Sequence, residues 1–296
     1  MENIGQKSFR LLKKIKDPKF EIDRLEIYSL SLFIGSRDFQ ILITDSETNH
    51  CILLEDYVFD PTIEEQDKFD VIKFIFDDHH LLLANFWKKI NLITKSKAFS
   101  FVPKNLFEVD GIASYLGMNA TFDPTQEELM LTYHKKLDFV NVFPVNKSIV
   151  GLMSKVYPDR RVNYIHQSSS LINGVIAINE NGEKDIIIYL DRFGMHILIA
   201  KDNKLVFYNQ YSIKKFDDYI KFIKMVAKEF DFDLEEVKIR LYGYLGKNTP
   251  HFNELKKTMP QLILGNRPNN LNFGYVFDEV MDHQYFDLFS TETFRI

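Results

Sequence analysis

Cysteine and tryptophan are almost missing from this chain of 296 residues, which contains one of each. A lone thiol, Cys51, forms no disulfide within the chain, and the sequence has no Cys-x-x-Cys pair for zinc or redox chemistry. Cys51 lies in an apolar run over residues 51–54, so we expect it to be a small buried side chain. Cysteine-based metal sites and disulfide chemistry are therefore excluded.

An excess of positive charge and long apolar runs are also missing. The formal net charge of -5 predicts no basic field that could hold a nucleic-acid backbone. No stretch approaches the roughly 20 apolar residues that a membrane helix needs, and residues 1–17 lack the apolar core of a signal peptide. The sequence thus predicts a cytoplasmic protein with no nucleic-acid partner and no membrane span.

Phenylalanine and tyrosine, by contrast, are abundant, with 27 Phe and 14 Tyr. Aromatic and β-branched side chains pack well on pleated surfaces, so this composition favours a sheet-rich core. The hydrophobic share of 45% and the charged share of 27% are typical of a globular protein. The length suits one large domain or two of ordinary size.

One pattern of predicted elements occurs twice. Each occurrence has three strand-like runs separated by polar turns, then a helix, then a further strand. In order, the first occurrence covers residues 25–34, 39–44, 51–59, 60–79 and 89–94, and the second covers residues 185–190, 195–200, 204–211, 216–230 and 237–242. The repeated order predicts an α/β protein with two similar lobes, each a mixed sheet flanked by helices.

The lobes meet at a turn-rich break over residues 179–184, so we place the first lobe at residues 25–180 and the second at residues 181–296. Residues 1–24 are polar and locally basic. We interpret them as an N-terminal extension, either a solvated arm or an added helix. The alternative is a segment that docks on an acidic partner or a membrane surface.

Five stretches of sequence carry a resemblance to one protein family. They are FVPKNLF (101–107), VFPV (142–145), LDRFGMHILIA (190–200), LYGYLGKNT (241–249) and HQYFDLFS (283–290). Together they resemble the DUF3822 family, uncharacterised proteins found mainly in Bacteroidetes that have an actin-like ATPase fold. The resemblance covers the chain from about Leu25 onward and implies two ribonuclease H-like lobes. None of these stretches is a chemical motif, so the resemblance implies little about activity.

The actin-like fold implies an ATP site with two phosphate-binding hairpins, one in each lobe. Each hairpin usually begins with an Asp shortly before a Gly. The Asp holds Mg²⁺ through its waters, and the Gly lets the backbone approach a phosphate. The first hairpin here has Gly35, but the apolar residues 32–34 precede it and the strand-end carboxylate is missing. We expect Asp38, beyond the turn, to face solvent.

The second hairpin keeps more of the implied pattern, with Asp191 and Gly194 present and Arg192 and Phe193 between them. Further along, Gly243 and Gly246 end a strand at the place where the resemblance implies a Gly-rich turn beside the adenosine. Such glycines also serve tight turns, so both interpretations stay open. Asp191, Gly194, Gly243 and Gly246 are the candidate nucleotide-binding residues.

Other polar clusters have simpler interpretations. At most two of residues 77–80 (DDHH) could share one metal ion, because adjacent residues on a helix point in different directions, and we interpret them as a polar helix end. Residues 231–236 (DFDLEE) lack the Gly and the ligand ladder of a calcium loop. Residues 168–170 (SSS) after His166 suggest a nucleophile and base, but a polar helix cap is the better interpretation.

The sequence therefore predicts no catalytic residues and no metal site. A ribonuclease H-type nuclease would need an Asp inside the first strand, where only Glu26 occurs, at its start. We hypothesise a degenerate actin-like protein that is a non-catalytic interaction or scaffold module, with a protein partner or with itself. The alternatives are a weak ATP-binding protein or slow ATPase with ATP and Mg²⁺ as cofactors, and a binder of small molecules in an aromatic cleft.

Overall fold

A computed structural model describes residues 8–179, 185–192 and 194–293 of the chain. The strands are β1 (Phe9–Lys16), β2 (Tyr28–Ile34), β3 (Asp38–Asp45), β4 (His50–Phe59), β5 (Lys89–Thr94), β6 (Ser100–Pro103), β7 (Glu127–His134), β8 (Phe139–Asn146), β9 (Val162–His166), β10 (Asp185–Asp191), β11 (Gly194–Lys201), β12 (Lys204–Tyr211), β13 (Ile239–Gly243), β14 (Leu262–Leu264) and β15 (Asn272–Phe273). The helices are α1 (Lys68–Asp78), α2 (Ile112–Gly117), α3 (Lys147–Val156), α4 (Gln167–Ile178), α5 (Phe216–Glu229), α6 (Pro250–Thr258) and α7 (Phe286–Ser290).

The described residues fall into two units. Unit 1 contains those within Met1–Ser169 and Leu271–Asp278, and unit 2 contains those within Ser170–Asn270 and Glu279–Ile296. The division lies inside α4. Of the predicted break at residues 179–184, all but Asn179 lies outside the described residues.

The main sheet of unit 1 has the order β1-β4-β3-β2-β5-β9, and β15 also pairs with β4. Strands β2, β3 and β4 form an antiparallel meander, whereas β5 and β9 run parallel to β2. A buried core including Leu30, Ile41, Phe76 and Trp87 lies on one face, under α1 and α3. Helix α1 begins later than the sequence predicts, because Asp60 accepts a hydrogen bond from the Thr62 amide at 2.9 Å and forms a turn there.

Strand β1 lies within the N-terminal segment for which we expected an arm or a helix. It pairs antiparallel with β4 and forms the edge of the sheet, with a register shift between Leu11 and Lys13. Its sequence, FRLLKKIK, is rich in cations. Lysines and bulges on an edge strand discourage pairing with other chains, so the basic composition suits a strand at this position.

A small subdomain is inserted between β5 and β9. Its three strands form an antiparallel sheet in the order β6-β8-β7. A separate core that includes Val102, Leu116 and Val142 joins this sheet to α2.

The sheet of unit 2 has the order β12-β11-β10-β13-β14. Strands β10 to β12 form an antiparallel meander, and β13 runs parallel to β10. Without β1, β15 and the inserted strands β6 to β8, the unit 1 sheet has the ribonuclease H-like order third, second, first, fourth, fifth, and the unit 2 sheet has the same order. The duplicated α/β fold predicted from the sequence is confirmed. None of the helices in the described part of the chain combines the length and apolar character needed to cross a membrane.

Candidate functional site

Each unit has one sheet edge where parallel strands end, and ligands of α/β proteins bind at such carboxyl edges. In unit 1 this edge is formed by the ends of β2, β5 and β9. In unit 2 it is formed by the ends of β10, β13 and β14. The two hairpins singled out in the sequence, β2–β3 and β10–β11, begin at these edges.

The hairpin of unit 1 is filled by its own carboxylate. The Gly35 amide donates to the Asp38 carbonyl at 2.9 Å, which closes the turn. A Cβ built on Gly35 would lie 2.0 Å from Asp38 Oδ1, so the carboxylate lies directly against the glycine backbone. The expectation that Asp38 faces solvent is wrong: its side chain is 2% exposed. It turns inward because a buried cation binds it.

That cation is Lys95, the residue that directly follows β5. Its Nζ lies 3.0 Å from Asp38 Oδ2 and donates to Gln40 Oε1 at 2.8 Å, and its side chain is 4% exposed. Gln40 Nε2 in turn donates to Asp56 Oδ1 at 3.1 Å. A buried ion pair of this kind persists only when hydrogen bonds satisfy both charges. The polar side chains at the unit 1 edge are therefore bonded to one another.

A second buried network lies at the start of α4. His166 Nε2 donates to the Ser96 carbonyl at 2.9 Å, which leaves Nδ1 of the neutral ring to accept from Ser168 Oγ at 2.7 Å. Asn141 Nδ2 donates to the Ser168 and Ser169 hydroxyls, both at 2.9 Å. A Ser–His contact resembles a nucleophile and its base, but both side chains are fully buried. The serines join β8 and β9 to α4 and do not form the helix cap expected from the sequence.

In unit 2, the hairpin of β10 and β11 begins at Asp191, which pairs with Gly194. Asp191 Oδ1 accepts from the Arg192 amide at 2.7 Å. The Arg192 guanidinium lies over the ring of Tyr244, 4.3 Å from its centroid. This cation–π contact ties the hairpin to the residue that follows β13.

The backbone conformation and the close packing at position 243 require a glycine. Its φ is +99°, and a Cβ there would lie 2.0 Å from the Leu190 carbonyl oxygen. The Gly243 amide donates to the His283 carbonyl at 2.8 Å, and the Tyr244 amide donates to the Leu190 carbonyl at 2.9 Å. Both N–H groups that could face a ligand at this turn therefore have partners inside unit 2.

Gly246 and Gly194 are less constrained than Gly243. A Cβ on Gly246 would meet its nearest atom, Thr249 Cγ2, at an ordinary 3.6 Å. The Gly246 carbonyl accepts from the Thr249 hydroxyl at 2.9 Å, at the start of α6. On Gly194 a Cβ would lie 3.2 Å from the Tyr211 carbonyl oxygen, a tight contact across the β11–β12 ladder. The four candidate residues thus lie along one edge of unit 2.

A cavity of about 170 Å³ lies at this edge. Its lining includes Asp191, Arg192, Tyr219, Tyr244 and His251. Sites for small organic ligands commonly occupy about 300–1,000 Å³. This cavity of unit 2 is therefore too small by itself for a nucleotide.

At both edges, internal groups lie where the actin-like fold implies contacts to Mg-ATP. Within the described residues, no three His, Cys, Asp or Glu side chains converge in a way that could hold a metal ion. In unit 1 a carboxylate occupies the hairpin, and in unit 2 the turn amides already have acceptors. A phosphate would have to displace these internal partners.

Sequence reasoning missed Lys95 and the contact between Arg192 and Tyr244. A signal for Lys95 was present, because this cation directly follows the largely apolar run INLIT at the edge where parallel strands end. No sequence signal pairs Arg192 with Tyr244, since this contact depends on how β13 lies beside β10.

The paired units and their two hairpins define an actin-like ATPase fold. A Bacteroides thetaiotaomicron protein described as having this fold and unknown function matches with a TM-score of 0.78 and 20% identity, over 93% of this chain and 99% of that chain. A chain of the PilM–PilN type IV pilus biogenesis complex matches with a TM-score of 0.54 and 10% identity, over 89% of this chain and 95% of that chain.

The chain belongs to the family described as "Protein of unknown function (DUF3822)", whose model matches residues 17–262. The resemblance noted in the sequence is confirmed. A search of curated proteins gives no match. The structural similarities, at 20% identity or less, establish the fold and leave activity to be argued from the residues.

Two glycine substitutions separate a structural role from a binding role. We expect Gly243→Ala to lower the free energy of unfolding by at least about 3 kcal/mol, because it adds both a strained positive φ and a clash with Leu190. The matched variant Gly246→Ala should change it by less than about 1 kcal/mol. Denaturant unfolding monitored by circular dichroism checks both values, and equal effects of the two substitutions would contradict this assignment.

Proposed function

We propose that this protein is a non-catalytic member of the actin-like ATPase fold that acts as an interaction module. The observation that carries the proposal is that internal groups occupy the hairpin of unit 1 and the turn of unit 2 where phosphates would be held. A working phosphoryl-transfer site instead keeps donors and a metal ion directed at the substrate.

In unit 1 a carboxylate that already has its own cation occupies the hairpin. Asp38 lies against the Gly35 backbone, where a phosphate would otherwise approach. The Lys95 ammonium neutralises Asp38 and bonds to Gln40, so its charge is already compensated. Displacing Asp38 would leave a buried carboxylate without its partner, which costs several kcal/mol.

In unit 2 the candidate residues support the fold in ways that do not involve a ligand. Gly243 allows β13 to approach Leu190, and Asp191 holds the Arg192 amide. The aromatic stack with Tyr244 holds the Arg192 side chain. These contacts account for the presence of Asp191 and Gly243 without nucleotide.

An exposed apolar surface favours interaction with another protein. The inserted subdomain of unit 1 exposes several large apolar side chains, including Leu106 at 63%, Val109 at 63% and Met118 at 78%. Nearby, the Phe107 ring contacts both Tyr115 and Tyr133. Large apolar side chains grouped on a surface commonly mark a protein-binding site. The PilM–PilN complex gives a precedent for this fold within a protein assembly.

The rival function is a weak ATP binder or a slow ATPase. One observation favours it: Asp191, Gly194 and Gly243 lie at the same carboxyl edge, as a nucleotide site of this fold would require. The two functions differ in what nucleotide does to the folded state.

Thermal unfolding with and without millimolar Mg-ATP distinguishes the two functions. A ligand present at about 100 times its Kd would stabilise the protein by roughly 2.7 kcal/mol. We expect no rise in melting temperature with Mg-ATP, Mg-ADP or Mg-GTP. A clear rise that disappears in Asp191→Ala would contradict the proposal that internal groups fill the phosphate-binding positions, and it would favour the weak ATP binder.

Variants of the exposed subdomain test the interaction itself. We expect tagged wild-type protein to retain a partner from a native lysate, or to self-associate in light scattering. The double variant Leu106→Ser/Met118→Ser should lose that association, because it removes apolar contact area without touching a buried core. Val206→Ser, which changes a side chain that is 43% exposed on β12, is the matched control. A clean monomer without bound protein, or equal retention by the double variant, would contradict the proposal.

A further inference from the structure

A second cavity in unit 2, of about 390 Å³, lies away from the Asp191 hairpin. Side chains alternate between the two faces of a strand. Ile239 and Leu241 of β13 pack into the core of unit 2, while Lys238, Arg240 and Tyr242 line this cavity from the other face. Its size is within the range of about 300–1,000 Å³ that is typical of small-molecule sites.

The charged residues that line this cavity are all cations. Lys238, Arg240 and Arg267 all border it, and none of the described residues that line it is acidic. Neighbouring groups hold the two arginines in place: Arg240 Nη2 lies 2.8 Å from Asp185 Oδ2, whereas Arg267 Nη2 donates to the Val280 carbonyl and its Nε lies 3.2 Å from Asp282 Oδ1. A guanidinium has five N–H donors, so one carboxylate does not exhaust the capacity of Arg240.

Tyr242 forms a neutral floor for the cavity. The ring lies only 2.1 Å from the position that a Cβ on residue 265 would take, so Gly265 must be a glycine. Burial raises the pKa of Tyr242 to about 12, although the nearby Arg240 charge lowers it. The phenol thus adds no negative charge at neutral pH. Its oxygen accepts from the Asn266 amide, which positions the loop that borders the cavity.

We propose that this cavity binds a small dianionic oxyanion, a phosphate monoester or a dicarboxylate, through the Arg240 and Arg267 guanidinium groups with Lys238 at its rim. The planar fork of arginine matches carboxylate and phosphate oxygens in paired hydrogen bonds. Both arginine side chains are partly buried, at 23% and 13% exposure, so water screens their charges less than on an open surface. The site belongs to unit 2 alone and does not depend on the hairpin residues.

Isothermal titration calorimetry of the full chain tests the site with three probes at low salt: inorganic phosphate, glycerol 3-phosphate and succinate. We expect binding with a dissociation constant in the millimolar range or tighter. The phosphate probes and succinate together show which oxyanion the site prefers. The key variant is Arg240→Lys, which retains the positive charge beside Asp185 but loses the fork. It should weaken binding about tenfold.

Three further variants keep the test specific. Lys238→Gln should weaken binding about threefold, whereas Lys224→Gln, which removes one exposed positive charge from α5, should leave it unchanged. Asp191→Ala should bind the same probe as tightly as the wild type, which separates this site from the hairpin. The proposal is overturned by the absence of binding for all three probes, by equal weakening in Lys224→Gln, or by loss of binding in Asp191→Ala.

Discussion

The buried ion pair between Lys95 and Asp38 is the interaction on which the character of the unit 1 edge depends. It brings a carboxylate against Gly35, the position where an actin-like hairpin would approach a phosphate. A buried charge must be paired and hydrogen-bonded, so the pair, together with Gln40, fixes the conformation of the hairpin. The same requirement explains why Asp38 points inward from a turn that is otherwise exposed.

In unit 2 the turn is also bonded internally, but through the backbone and not through an ion pair. There the backbone supplies the partners: the amides of Gly243 and Tyr244 donate to carbonyls of His283 and Leu190. The sheet cores of the two units are apolar and separate from these edges. Because the cores determine the fold and the edges determine the chemistry, the fold can persist while the phosphate-binding arrangement is replaced.

The fold was predictable from the sequence to a large extent, because apolar periodicity and polar turns mark the two meanders and their crossover helices directly. Strand β1 was missed because its lysines conceal the strand pattern, and the start of α1 was placed too early because the Asp60 turn imitates a helix start. At the candidate site, Gly243 stood out as a glycine, but its role depends on the distance to Leu190. The contact between Lys95 and Asp38 joins residues 57 positions apart, which no local pattern reveals.

The proposed interaction role needs no phosphate chemistry, and the inserted subdomain exposes large apolar side chains, including Leu106 and Met118. The turn amides of Gly35, Gly243 and Tyr244 already donate to internal carbonyls. Their hydrogen exchange, measured by NMR with and without Mg-ATP, reports whether a phosphate can replace those acceptors. We expect slow exchange at rates that Mg-ATP leaves unchanged. Rapid exchange in the free protein that slows when Mg-ATP is added would show that the amides are instead available to a nucleotide.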